Sequence, residues 1–179
     1  MARILTDENW YDEVNLISYM LESQFESRIL HHADTIFSEY IVLPFKKNIE
    51  SRSSNATPDL IMIRDDYSEW WLIEVEKSDH SIDHVLRQVN VFTSGEWNEE
   101  ELARYVERKA ELQQKAFNIS LFKSLIYKKR PGVMVIVDDH KPDWITPLNK
   151  IKVKLCVIQV FKNEATQELF RINGQYPHI

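Results

Sequence analysis

Three acidic residues and a proline mark where this sequence concentrates its chemistry. Pro58-Asp59 opens a short apolar run over residues 58–63, and a second run over residues 70–75 leads into Glu74-Val75-Glu76-Lys77. Side chains alternate along a strand, so Glu74 and Glu76 share one face while Val75 and Lys77 share the other. An antiparallel hairpin between Leu60 and Val75 sets Asp59, at the start of its first strand, beside the end of the second. Carboxylates are costly to bury in a sheet otherwise built of Leu, Ile, Met and Trp unless something compensates them. A divalent cation does so: Mg2+ takes oxygen ligands from one or two carboxylates, keeps several waters and can bridge to a substrate phosphate. The bland alternative is an ordinary strand end with solvated charges. Against it, Trp71, Leu72 and Ile73 run directly into the acids.

The spacing from Pro58-Asp59 to Glu74-Val75-Glu76-Lys77, followed by a helix that contains Gln88, resembles the PD-(D/E)XK superfamily of restriction-endonuclease-like phosphodiesterases. The resemblance covers about residues 21–92 and a compatible later strand, helix and strand. It implies an α/β fold, a restriction-endonuclease-like mixed β-sheet flanked by α-helices. It implies that Asp59 and Glu74 bind Mg2+ or Mn2+, and that the residue two places after Glu74, usually lysine in the family, orients or activates the attacking water. That position is Glu76 here, an E-x-E variant with precedent among restriction enzymes. Lys77 is a further catalytic candidate, although the strand period aims it away from the acids unless a bulge re-aims it. Gln88 and Phe92 resemble the Q-x-x-x-(Y/F) pattern of recombination-type members, in which the glutamine faces the site. Glu26 resembles the metal-binding acid that many members contribute from the first helix, with Glu22 as the alternative. Lys77, Arg87 and Gln88 are the candidates for stabilising the phosphate.

The implied activity is metal-dependent cleavage of DNA, ahead of RNA, and family context suggests a phage, mobile-element or defence setting. The rival expectation is the same fold with a degraded site, a non-catalytic module that binds nucleic acid or a protein. An unrelated α/β subunit would follow if Asp59 and Glu74 did not converge. A homodimer and a partner protein are both open.

Other residue sets are weaker. His80 and His84 have the four-residue spacing of a two-histidine metal site on a helix, but no third ligand follows at a recognised offset, so they are expected to be exposed first-turn histidines. Asp138-Asp139 is expected to start a turn. Lys123, Lys128, Lys129 and Arg130 form the cationic stretch assigned to nucleic-acid backbone, with Lys46, Lys47 and Arg52 as a second one; the bland reading of both is a solvated loop. There is no Walker loop, G-x-G-x-x-G, G-x-S-x-G or paired C-x-x-C.

The elements needed to position these residues can be read from periodicity. Apolar residues Trp10, Val14, Ile17, Met20, Leu21, Phe25, Ile29 and Leu30 recur at spacings of mostly three and four, which predicts a helix or helix pair over residues 9–35. Three strands are expected at 40–45, 58–63 and 70–75, with turns over 51–57 and 65–68. Ser78 or Asp79 is expected to cap a helix over residues 80–92 that Gly95 ends, followed by a helical insertion at about 98–127 that begins at an Asn98/Glu101 capping box. Pro131-Gly132 breaks the helix. A fully apolar strand at 133–137 then implies a sheet covered on both sides, and a short helix at 142–149 and strands at 153–161 and 167–172 complete the order.

With 179 residues the chain is expected to form a single domain over 1–179, with enough length for one hydrophobic core. The lone Cys156 lies in an apolar run and suggests an inert core thiol in a reducing compartment. The opening MARILTDENW lacks a secretory apolar region and no run approaches the length of a spanning helix, so a cytoplasmic protein without a membrane is expected. A net charge of -6 excludes a whole-surface electrostatic grip on nucleic acid but leaves room for a local one.

Overall fold

Strands β6 (Leu60–Arg64), β7 (Trp70–Glu76) and β8 (Gly132–Val137) are apolar almost without interruption because each is covered on both faces. The computed structural model describes residues 2–6, 9–14, 20–52 and 54–175. Its main sheet has the order β1-β2-β9-β8-β7-β6-β3, where β1 is Arg3–Leu5, β2 Trp10–Glu13, β3 Tyr40–Pro44 and β9 Lys154–Lys162. A further strand, β10 (Glu168–Gly174), pairs with β9 alone and forms the expected edge. β3, β6 and β7 are antiparallel neighbours, while β7, β8 and β9 are parallel, so the sheet is mixed.

Alternation sorts the strand residues into two cores. Leu72, Ile61, Val133, Val135 and Val157 face helices α3 (Ile82–Ser94), α4 (Glu99–Leu112), α5 (Ile119–Lys128) and α6 (Pro142–Lys150). Ile73, Val75, Met62, Ile136 and Cys156 face α1 (Glu22–His31) and α2 (Ala33–Ile36). Each helix meets the sheet through one stripe: Phe25 and Ile29 on α1, and Val85, Val89 and Phe92 on α3. The helical insertion is the pair α4 and α5, whose starts are capped by the Asn98 and Asn118 side chains. Gly132 is required where β8 meets β7, because a Cβ there would drive into the Trp71 indole.

Three expectations need correction. Residues 10–13 are strand, not helix. β8 is paired with β9 only as far as Val157, so the same edge of β9 further on must find another partner. β2 supplies it through Asp12 and Glu13, and the Val14 N–H donates to the Val160 carbonyl. A helix is described from Glu22, and residues 15–19 of the expected helix lie outside the described residues. The cap of α3 is Ser81 rather than Ser78 or Asp79. The stretch expected as a turn over 51–57 also contains part of a small ladder, β4 (Ile49–Glu50) against β5 (Asn55–Ala56). Among the described residues no helix is long and apolar enough to cross a membrane.

Candidate metal centre

The β6–β7 hairpin sets the position of Asp59 through both its backbone and its side chain. Leu60 is registered with Ile73, and the Asp59 N–H donates to the Ile73 carbonyl at 3.0 Å. The Asp59 carboxylate then accepts the Val75 N–H at 2.8 Å, so the aspartate holds β7 on either side of Glu74. Glu74 and Glu76 lie on the face of β7 that carries Leu72, as the strand period requires. Asp59 is 9% exposed, Glu74 4% and Glu76 1%, which is unusual for acids and demands a compensating partner.

The compensation is incomplete. Gln88, reaching down from α3, donates through Nε2 to Glu74 Oε1. Glu74 Oε2 and Gln88 Oε1, both buried, have no hydrogen-bond partner among the described residues. Burial first, then repulsion from Asp59, Glu76 and Glu22, pushes the Glu74 carboxyl up to about 10. Burial likewise pushes Glu76 up to about 7, against a hydrogen bond with His80 that pulls it down. Two buried acceptor oxygens on side chains joined by one hydrogen bond, with the charges of Asp59 and Glu76 nearby, fit an oxygen-liganded divalent cation.

Lys46 completes this side of the site. Its ammonium donates to Asp59 at 2.5 Å and to Glu26 at 2.7 Å, joining the α1 acid to the hairpin acid. The position of Lys46 is fixed by its neighbours: Phe45 is buried and packs edge-on to Tyr105 of α4, and the Tyr105 hydroxyl accepts the Lys46 N–H at 3.0 Å. Desolvation would lower the Lys46 pKa, but its hydrogen bonds to Asp59 and Glu26 outweigh that and raise it. Burial, followed by the nearby Asp59 charge, raises Glu22; burial also raises Glu26, despite its bond to Lys46. Lys77 lies just beyond β7 with its ammonium 3.8 Å from Asp79. The Arg87 guanidinium donates to the Asp83 carbonyl on its own helix. The Asp138 carboxylate accepts the Ser78 N–H at 2.6 Å and so ties the ends of β7 and β8.

Glu76 is turned toward the start of α3. It is hydrogen-bonded to His80 Nδ1, and His84 Nε2 lies 3.6 Å from its other oxygen. Among the described residues, ligand atoms of Glu76, His80 and His84 all fall within 4.8 Å of one another. This set is not the expected triad of Asp59, Glu74 and Glu76, although the Asp59 charge helps to raise both glutamates and Glu76 helps to raise Glu74. Glu76 was missed as a partner of the two histidines: it lies four residues before His80, but it sits on a strand and the step crosses a turn, so helical spacing does not reveal it.

The cationic residues assigned to nucleic acid lie elsewhere. Trp71 pairs with Gly132 and Glu76 with Val137, so residues 128–130, just before β8, sit at the far end of β7 from Glu76, about 16 Å away at the usual strand rise. Lys123 donates to Glu100 at 2.9 Å, Lys129 to the Ser68 carbonyl at 2.8 Å and Arg130 to the Gly95 carbonyl at 2.5 Å, with the Arg130 guanidinium over the Trp97 ring. Lys128 is exposed at the end of α5. Lys46, by contrast, is at the acids, and its signal in the sequence was its place directly after the strand that neighbours β6.

Compared with family models, curated proteins and solved structures, the chain gives no match.

Proposed function

We propose that this protein is a metal-dependent phosphodiesterase of restriction-endonuclease-like build, a nuclease acting on DNA ahead of RNA. The observation that carries the reading is the buried Glu74 carboxylate, set beside Asp59 and Gln88, with Glu74 Oε2 and Gln88 Oε1 left without donors. Asp59 and Glu74 would hold Mg2+ or Mn2+, with Glu26 completing the set from α1. Bound there, the ion would acidify a coordinated water and polarise a phosphate oxygen. Glu76, poised to titrate near neutrality, takes the proton of the attacking water, and the half-exposed His80 hydrogen-bonded to it opens a route for that proton to solvent. Gln88 keeps the Glu74 carboxylate from rotating. Lys46 brings a positive charge to the acids, where it can meet the substrate phosphate. The resemblance suits a phage, mobile-element or defence setting.

The test is cleavage of plasmid and single-stranded DNA, and of RNA, by purified protein. Cleavage is expected only with Mg2+ or Mn2+, and EDTA should stop it. Asp59→Ala and Glu74→Ala should abolish it with the fold retained, and Glu76→Gln should slow it by about 100-fold or more, the scale of a lost general base. Wild-type protein that neither cuts any of these substrates nor takes up Mn2+ in calorimetry with DNA present would overturn the reading.

A second reading rests on Lys46, whose ammonium pairs with both Asp59 and Glu26. It makes the chain a non-catalytic module that binds nucleic acid or a protein. It expects no metal-dependent cleavage, and partner binding that survives Asp59→Ala combined with Glu74→Ala.

A further inference from the structure

We infer that Glu76, His80 and His84 form a second cation site, built for a first-row transition ion such as Zn2+ rather than for Mg2+. This inference goes beyond the nuclease reading and does not rest on it, because the site is defined by imidazole nitrogens that the carboxylate pair does not use.

The geometry is close to that of a ligated ion. Two ligands about 2.1 Å from a tetrahedral zinc lie roughly 3.4 Å apart. His84 Nε2 is 3.6 Å from Glu76 Oε1, His80 Nδ1 is in direct contact with the Glu76 carboxylate, and all three ligand atoms lie within 4.8 Å of one another. A fourth oxygen is at hand: Glu22 on α1 lies 3.5 Å from His80 Nδ1.

The donors are anchored unequally, as a loading site requires. Glu76 is the last residue of β7 and its side chain is 2% exposed, so it is a fixed ligand. The side chains of His80 and His84 are 38% and 47% exposed, which gives the ion an open entry from solvent. His84 lies in the first turn of α3, so its ring is carried by a regular helix beside the end of β7. Two imidazoles with a carboxylate suit zinc, iron, cobalt or nickel, whereas Mg2+ prefers all-oxygen surroundings.

Cobalt absorption tests the site directly and needs no activity. The EDTA-stripped whole protein is titrated with Co2+, followed by displacement with Zn2+, and a visible ligand-field band that saturates at one ion per chain is expected. His80→Ala and His84→Ala should each weaken Co2+ binding by about 100-fold or more, exceeding the loss of a mere outer-shell partner. Glu76→Gln should do the same, while Asp59→Asn combined with Glu74→Gln should leave the band and its affinity in place. Thermal melts of each variant confirm folding, and the exposed histidines keep the test informative if Glu76→Gln proves unstable. A wild-type protein without the band, wild-type affinity in Glu76→Gln, or loss of the band in the Asp59/Glu74 variant would each overturn the inference. None of these results depends on whether the protein cleaves DNA.

Discussion

Glu74 and Glu76 are carboxylic acids whose folded surroundings favour the proton, and that preference has a measurable cost. Their ordinary value is 4.5, and in the fold they are pushed up to about 10 and about 7, by burial before any other cause. Above pH 4.5 the unfolded chain therefore binds fewer protons than the folded one. Stability of the metal-free protein is full below that value and falls as pH rises through 7 toward 10. Melting temperatures in EDTA should decline between about pH 5 and pH 8, and Glu74→Gln should flatten the decline. Added Mg2+ should flatten it too, since a cation stabilises the ionised acids. A melting temperature that holds or rises over that interval would show that these acids are not held protonated. The juxtaposition of Asp59 and Glu74 was legible because strand alternation and one hairpin register bring them together, whereas Gln88, which meets Glu74 from α3, was named from the resemblance. Lys46 was legible only as a cation beside a strand; its place at the acids was not, because its backbone is held by Tyr105 of α4, a contact between residues 59 positions apart.

At the scale of elements, β7 depends on its neighbours fitting closely around two large rings. Trp70 donates its indole N–H to the Lys129 carbonyl at 2.9 Å, and Trp71 lies over Gly132. Gly132→Ala should destabilise the protein by about 1–3 kcal/mol, the usual cost of overpacking, without altering metal uptake. Denaturant titration checks this, and an unchanged midpoint would mean that the ring can move aside at no cost. The central strands and α3 could be read from the sequence because burial on both faces writes an uninterrupted apolar run and burial on one face writes a 3.6-residue stripe. β2 could not. Trp10 and Val14 fit a helical stripe equally well, and what decides the matter is the length by which β9 outruns β8, a property of distant strands. Cys156 behaves as the sequence suggests: it is buried between β8 and β10, and burial pushes its thiol up to about 12.

For the whole molecule, a net charge of -6 means that any grip on nucleic acid is local and sensitive to salt. Much of the cationic stretch is engaged within the fold, Lys123 with Glu100 and Arg130 with Gly95 and Trp97, which leaves Lys128 as the member best placed to meet phosphate. Lys128→Gln should weaken DNA binding equally across sequences and reduce the slope of log affinity against log salt by about 0.9, the value for one phosphate. An unchanged slope would leave Lys128 as ordinary solvated charge. The connection between β7 and β8 has a consequence of a different kind. All of α3, α4 and α5 lies within residues 77–131, between the strand that carries Glu74 and Glu76 and the parallel strand that buries it. Closing so long a segment precedes any gain from the pairing, and such non-local contacts form slowly. On a ribosome, a chain that has emerged only as far as β7 owns its acids but lacks Gln88, Tyr105 and β8, so the centre is assembled late in synthesis and a truncated product carries its residues without their arrangement.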